Sequence, residues 1–171
     1  MSRQKTVMLK RYLLFSYLIV VMSFFSQVSQ AAITPYIIET KTLSFGSIIY
    51  VPGACKMAYN TQVITNLTSQ NICTNSSGST GVYRIFANPN KQVQIKLNSH
   101  SDSGNGILYV PNGQLVSDVA SAIIIADTTQ TINSGTSGII DITIGGQLTI
   151  STILTPSSIF NELFTITFVE I

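Results

Sequence analysis

Apolar and polar residues alternate along most of the chain after its first thirty-one residues. The clearest case is residues 92–99, QVQIKLNS, in which Val93, Ile95 and Leu97 fall on one side and polar residues on the other. Successive side chains of a β-strand point to opposite faces, so this period of two predicts strands with one buried face. No stretch longer than about two turns keeps a helical period. Roughly eight to ten short strands with frequent turns are typical of an all-β sandwich or barrel.

Two segments give more specific expectations about individual strands. Residues 111–113, PNG, separate two short strand patterns, and Pro and Gly together are a hairpin signal. Residues 121–126, SAIIIA, are a continuous apolar run. A run of that length without alternation is typical of a fully buried strand. We therefore expect a hairpin at the first segment and a strand covered on both faces at the second.

A second hairpin is expected around a pair of glycines. In residues 139–151, IIDITIGGQLTIS, the isoleucines before Gly145-Gly146 share one face, as do the apolar residues after them. Pairing Ile144 with Leu148 keeps both apolar rows together. Because the buried pattern sets the register, we predict a three-residue connection, Gly145–Gln147.

The first thirty-one residues have the pattern of a secretory signal peptide. Four basic residues precede an apolar run of fourteen residues, 12–25, and Ser29 and Ala31 supply small side chains at the −3 and −1 positions. This arrangement predicts cleavage after Ala31. The apolar run is shorter than the roughly 20 residues that a spanning helix needs. We therefore expect a secreted protein, with no membrane insertion after cleavage.

The predicted organisation has three segments: residues 1–31 as the signal peptide, 32–42 as an N-terminal extension or donor strand, and 43–171 as the β-sandwich domain.

Cleavage changes the net charge, because four of the nine Lys and Arg residues and none of the seven acidic ones lie in the leader. The remaining five basic and seven acidic residues give a net charge of −2. A nucleic-acid-binding protein needs cations to neutralise phosphates, and none follows Lys96. We therefore expect no nucleic-acid partner.

Cys55 and Cys73 are the only cysteines of the chain. In an exported protein an even number of cysteines predicts a disulfide. The alternative is a catalytic thiol assisted by His100, the single histidine, but a nucleophile needs a base within hydrogen-bond reach and a third group that orients it. Nothing in the spacing of these residues indicates that arrangement.

No other motif indicates a catalytic or metal-binding site. Asp102 and Asn105 resemble part of a calcium loop, but such a loop needs several carboxylates at alternating positions. The acidic residues are scattered singly, and no G-x-S-x-G motif surrounds a serine. We expect no enzymatic activity, no metal site and no cofactor.

Three motifs in their order along the chain resemble a known family. They are LSFG at residues 43–46, TIGGQLTI at 143–150 and FTITFVEI at 164–171. They resemble the bacterial secreted domain-of-unknown-function family 4402, which is similar to spore-coat-U and chaperone–usher pilin domains. The resemblance implies an immunoglobulin-like Greek-key β-sandwich, export through the periplasm, and a place in a surface fibre or coat.

The resemblance also implies how the subunits would join. In such pilins the sandwich is incomplete, and an N-terminal segment of a neighbouring subunit completes it by adding a strand. The candidate donor is AITPYIIETK, residues 32–41, with Ile33, Tyr36, Ile37 and Ile38 as the side chains that would enter the acceptor. The alternative is that this segment pairs with its own chain as the first strand of a complete sandwich.

The candidate acceptor is the last strand pattern of the sequence, in which Phe164, Ile166 and Phe168 share one face. The expected partners are copies of this chain or related subunits, together with a periplasmic chaperone. The function expected from these observations is that of an exported structural subunit assembled by β-strand complementation. The alternative is a monomeric secreted adhesin, a module that binds carbohydrate or a host protein.

Overall fold

The computed structural model of the protein describes residues 32–154 and 164–171, and all regular secondary structure in these residues is β-strand. The all-β class expected from the alternation is confirmed. The predicted signal peptide, residues 1–31, lies outside the described residues. In chain order the strands are β1 (Tyr36–Lys41), β2 (Gly53–Met57), β3 (Ile64–Asn66), β4 (Gly81–Phe86), β5 (Gln92–Asn98), β6 (His100–Asp102), β7 (Ile107–Val116), β8 (Ser121–Ile125), β9 (Thr129–Asn133), β10 (Ile139–Ile150) and β11 (Thr165–Glu170).

The strands form two antiparallel sheets of unequal size. In the larger sheet β10 is central: one side of it pairs with β4 along its first half and with β2 along its second half. β1 extends the sheet beyond β4, and β3 extends it beyond β2. The other side of β10 pairs with β7, whose outer side pairs with β6 and β8. The smaller sheet has the order β11–β5–β9.

The smaller sheet covers the half of the larger sheet that contains β4 and the first half of β10. The inner residues of β5, Val93, Ile95 and Leu97, have no exposed surface and pack in one cluster with the inner isoleucines of β10. The alternation that predicted one buried face of β5 is therefore confirmed. We call this cluster the inter-sheet core. Burial of apolar surface is the main favourable term in folding, so this core holds the two sheets together.

The other half of the larger sheet is covered by loops instead of a second sheet. Leu43 and Phe45 from the segment before β2, and Ile72 from the segment after β3, pack there against β2, β7 and the second half of β10. We call this cluster the loop core. Cys55 on β2 and Cys73 in the covering loop form a disulfide inside it, with 6.1 Å between their Cα atoms. The predicted pairing is confirmed, and neither sulfur remains as a thiol.

The hairpin predicted at Gly145–Gln147 is wrong, because β10 runs straight through the two glycines. Ile144, Gly146 and Leu148 stay in phase on the inner face, so the apolar pattern fits one long strand as well as two short ones. The ring of Tyr109 occupies the space above Gly146, and its hydroxyl donates a hydrogen bond of 2.7 Å to the Gly145 carbonyl. Gly146 therefore makes room for a tyrosine from the neighbouring strand, Gly145 lies against the backbone of residues 57–59, and neither forms a turn.

The hairpin predicted at PNG is also wrong, because β7 continues through Pro111. The Pro111 carbonyl accepts a hydrogen bond from the Ala126 N–H, on the side of β8. The nitrogen and the carbonyl of one strand residue point to the same side, so the nitrogen of Pro111 also faces outward. On that side β6 ends its pairing at Tyr109 and β8 begins at Asn112, so no partner strand requires the missing N–H.

SAIIIA forms the strand β8, but only one of its faces is covered. Ile124 is fully buried in the inter-sheet core, whereas Ile123 and Ile125 are 50% and 60% exposed. β8 is an edge strand of the larger sheet, and nothing in the described part of the chain packs on its outer face. The expectation of a strand buried on both faces is therefore wrong, and an apolar row is left in solvent.

Replacing both Cys55 and Cys73 by alanine is expected to lower the free energy of unfolding by about 3 kcal/mol, because the disulfide restricts the unfolded chain across a short loop. Urea denaturation of the wild type and the double variant measures the difference. Equal midpoints and slopes for the two proteins would contradict a structural role of the disulfide in covering the loop core.

Gly146→Ala is expected to lower the free energy of unfolding by about 2 kcal/mol, because a new Cβ would lie 2.6 Å from the Val110 carbonyl oxygen at a φ of +154°. The matched control is Gly104→Ala, where the nearest atom is 3.4 Å away and open space surrounds the position. The control should change stability by less than about 0.5 kcal/mol. Comparable losses in both variants, measured by denaturation, would show that β10 does not depend on this close approach.

Candidate functional site

Within the described residues, the backbone groups on one side of β11 have no partner strand. Ile171 N–H donates to the Gln92 carbonyl, so Ile171 faces β5. The N–H and C=O groups of every second residue before it, Val169 and Thr167, face β5 as well. The N–H and C=O groups of Ile166, Phe168 and Glu170 therefore point to the opposite side. Among residues 32–154 and 164–171, no strand pairs with β11 on that side. Unpaired groups in a row are a template for an additional strand.

The side chains of the predicted acceptor lie together beside these unpaired groups. Ile166 and Phe168 are half-buried and pack against the inter-sheet core, while Thr165, Thr167 and Val169 are exposed on the other face. The structure thus places free backbone groups and a partly covered apolar row on the same residues. A strand added here would gain both ladder hydrogen bonds and apolar burial.

Phe164, the third predicted acceptor residue, joins the two cores. Its ring meets Tyr83 edge-on at 5.8 Å between centroids and Tyr109 in a tilted contact at 5.7 Å. It packs against both the loop core and the inter-sheet core. Burial, and secondarily the negative charge of Glu39, raise the pKa of Tyr83 to about 12, so its phenol stays neutral at physiological pH. Phe164 is therefore an anchor that positions the start of β11.

The predicted donor segment is paired within its own chain. β1 runs antiparallel to β4, and the ring of Tyr36 stacks on Phe86 at 4.7 Å between centroids. Only Ile37 is half-buried and packs against the inter-sheet core, whereas Ile33 and Ile38 are 45% and 41% exposed. The cis pairing, which the sequence left open against donation, is the arrangement in this structure. Donation to a neighbouring subunit stays a prediction.

The cis pairing of β1 is loosely packed. Five of the six residues of β1 are exposed, and the pairing with β4 shifts register between Glu39 and Lys41. Ala87 N–H donates to the Gly138 carbonyl, on the side of β10. The N–H and C=O groups of the residue before it, Phe86, therefore point to the other side, toward β1. By alternation the N–H and C=O groups of Ile37 and Glu39 point away from β4. β1 is therefore a second edge with unpaired groups.

Asn88 connects the beginning of β1 to the end of β11. Its Oδ1 accepts a hydrogen bond from Ile33 N–H at 2.8 Å, and its Nδ2 donates to the Ile33 carbonyl at 3.0 Å. Its backbone N–H donates to Glu170 at 2.8 Å, and Nδ2 also donates to Glu170 at 2.9 Å. We call this set of hydrogen bonds the Asn88 link. No motif in the sequence distinguished Asn88 or the lone acid Glu170 as members of such a link.

The other residues considered for a chemical role do not lie on β1 or β11. The Asp102 carboxylate accepts hydrogen bonds from the backbone N–H and the side-chain amide of Asn105, which closes a polar turn. These bonds lower the pKa of Asp102. Within residues 32–154 and 164–171 no group of three His, Cys, Asp or Glu side chains is placed to hold a metal ion. In the same residues no helix has the length and apolar character needed to cross a membrane.

No family model matches the chain, and no curated protein and no solved structure matches it either. The resemblance to the secreted family 4402, and everything that it implies about assembly, therefore stays a prediction. What bears on function is the geometry of β1, β11 and the Asn88 link.

Asn88→Ala is expected to lower the free energy of unfolding by roughly 1–2 kcal/mol, since it removes the side-chain hydrogen bonds to Ile33 and Glu170. Hydrogen exchange of the β1 and β11 amides should speed up, while the central amides of β7 serve as an internal control. Unchanged exchange at β1 and β11 would contradict a role for the Asn88 link in holding the two edges.

Proposed function

We propose that the protein is an exported structural subunit of a surface fibre or coat, assembled by β-strand complementation. The observation that carries the proposal is the outer side of β11. It combines unpaired N–H and C=O groups with the half-buried side chains of Ile166 and Phe168. In strand addition, main-chain hydrogen bonds give affinity and alternate side chains give specificity, so this edge has both requirements.

The order of the strands supports this proposal. An immunoglobulin-like sandwich has strands A, B, E and D in one sheet and C, F and G in the other. The series β1–β4–β10–β7 corresponds to A, B, E and D, while β5 and β11 correspond to C and F. In the described residues the G position, beyond β11, has no strand. This correspondence supports a Greek-key sandwich that a strand from outside would complete.

The composition of the donor segment supports an exchange of strands. Ile33, Tyr36 and Ile38 keep 45%, 50% and 41% of their surface exposed in the cis arrangement. Each square ångström of apolar surface that they bury on a neighbour contributes about 25 cal/mol. Leaving β4 breaks the ladder and the Tyr36–Phe86 stack, but Ile37 is the one side chain of β1 that leaves the inter-sheet core. Residues 32–42 are therefore the segment that we propose as donor.

Export is supported by two independent features. Residues 1–31 have the basic, apolar and small-residue order of a cleaved signal peptide. The Cys55–Cys73 disulfide is typical of an oxidising compartment such as the periplasm or the cell exterior. With a mature net charge of −2 and few charged residues, the chain also offers surfaces that another subunit can bury at low desolvation cost.

The decisive experiment is light scattering, after size exclusion, of the chain from Ala32 onward and two variants. Ile166→Ala and Ile166→Pro both remove the packing of the isoleucine, but only proline also removes the N–H on the unpaired side. Proline is tolerated at such edge positions. We expect concentration-dependent oligomers for the wild type and Ile166→Ala, and a folded protein no larger than a dimer for Ile166→Pro. Oligomers of Ile166→Pro equal to those of Ile166→Ala would contradict the proposed acceptor.

The same assay on a chain lacking residues 32–42 tests the donor. We expect a soluble, folded protein no larger than a dimer, which binds a synthetic AITPYIIETK peptide. Unfolding of the truncated chain, measured by circular dichroism, would show that the segment is needed as the chain's own first strand, and would count against donation.

A further inference from the structure

We propose that β8 is a second association surface, through which two copies of this chain pair edge to edge about a twofold axis at Ile123. β8 and β1 belong to opposite ends of the larger sheet, so this contact is separate from the proposed acceptor and donor. The inference goes beyond the proposed function and does not depend on strand donation. If fibres form, it joins them side by side.

The first observation is the row of unpaired backbone groups on β8. Ala126 N–H donates to a carbonyl of β7, so by alternation the N–H and C=O groups of Ser121, Ile123 and Ile125 point away from β7. Of these groups, the Ile125 carbonyl accepts from Thr128 in the turn that follows. No other strand of the described residues pairs with this side of β8. What would satisfy these groups is another extended strand.

The second observation is that β8 lacks the features that usually keep edges apart. Edge strands of monomers are short, bulged, charged or interrupted by proline. β3 and β6 have only three residues, and β1 has a register shift together with Glu39 and Lys41. β8 has five residues, SAIII, with no charge, no proline and a regular register to β7. It is the most apolar of the described edges.

The acidic residues that flank β8 do not prevent another strand from pairing with it. The Asp118 carboxylate accepts hydrogen bonds from Thr136 Oγ1 at 2.7 Å and from Ser137 N–H at 3.0 Å. The Asp127 carboxylate accepts from the N–H and the hydroxyl of Ser99. Both carboxylates are engaged in turns of their own chain. Both carboxylates keep their negative charge, but they are held in the turns on either side of β8 and not along the strand.

The third observation identifies a second copy as the occupant. An antiparallel pair centred on Ile123 sets Ile123 opposite Ile123 of the second copy, and Ser121 opposite its Ile125. The N–H groups of Ile123 and Ile125 and the carbonyls of Ser121 and Ile123 point outward, so the pair forms the antiparallel hydrogen bonds that do not use the Ile125 carbonyl, which already accepts from Thr128. Ile123 and Ile125 of both copies then lie side by side on the outer face, where they are now 50% and 60% exposed. In this register Asp127 lies opposite Val119, so no like charges meet.

Disulfide trapping in the chain from Ala32 onward tests the register. Residues of a hydrogen-bonded antiparallel pair have Cα atoms about 5.5 Å apart, which is within the range that a disulfide spans. Under mild oxidation we expect Ile123→Cys to form covalent dimers. Ile125→Cys alone should not, because its two copies would lie roughly 13 Å apart. A mixture of Ser121→Cys and Ile125→Cys should crosslink again. The native Cys55 and Cys73 are buried and bonded to each other, so they do not take part in this crosslinking.

Charge at the twofold axis provides the second measurement. Ile123→Lys puts like charges opposite each other and should weaken self-association at least about tenfold in sedimentation equilibrium. Mixing Ile123→Lys with Ile123→Glu should restore it. The control is Leu108→Lys on β7, a position 39% exposed on the same face but on a strand paired on both sides. It should leave association unchanged.

Three results would overturn the proposal. The first is the absence of crosslinked dimers for Ile123→Cys. The second is equal crosslinking of Ile123→Cys and Ile125→Cys, which would indicate random collision. The third is unchanged association of Ile123→Lys, measured with Ile166→Pro as a background so that contacts through β11 do not contribute. Crosslinking that survives in that background separates this contact from the proposed strand donation.

Discussion

The fold depends on β10 being one uninterrupted strand paired on both sides. Its first half pairs with β4 and its second half with β2, while β7 runs along its whole other side. Gly145 and Gly146 have no side chains, so another residue must fill the space on the inner face of β10 at this point. Tyr109 fills that space and bonds to the Gly145 carbonyl. Both cores are built on this strand, so the loop core and the inter-sheet core share a common support.

The unequal size of the sheets explains the remaining features of the molecule. The smaller sheet, with three strands, covers only part of the larger one, so the exposed half must be closed by loops. Loops bury apolar residues less securely than a paired strand, because they lack a ladder of hydrogen bonds that fixes their position. The Cys55–Cys73 disulfide supplies that constraint. Phe164 then packs where the two coverings meet and positions β11.

The two proposed contacts use the same chemistry but differ in what they bury. On β11 the unpaired groups belong to residues whose side chains reach the inter-sheet core, so an added strand would extend that core. On β8 the unpaired groups belong to Ile123 and Ile125, whose side chains face solvent. Pairing there gives hydrogen bonds and lateral contact on an open face. We therefore expect the β11 contact to be long-lived and the β8 contact to be readily reversible, since burial adds more affinity than ladder bonds exchanged with water.

The Asn88 link connects the edges β1 and β11 within a single chain. One side chain bonds both the segment before β1 and the last residue of β11. Release of β1 for donation would break half of this link, while the half that holds Glu170 would keep β11 in place. In the proposed exchange, β11 would therefore stay in place after β1 has left.

Alternation by itself determined the all-β class, the buried face of β5 and the half-buried row of β11, because a period of two depends only on which residues are apolar. The pairing of the two cysteines followed from their number. The sequence misassigned Gly145-Gly146 and PNG as hairpins, since a glycine that admits Tyr109 and one that forms a turn look the same along the chain. It also misassigned SAIIIA, because the exposure of Ile123 and Ile125 depends on whether another strand packs beside and above them. Which edges stay open is a property of the sheet order, and only the tertiary structure decides that order, because it arises from contacts between residues far apart in the chain.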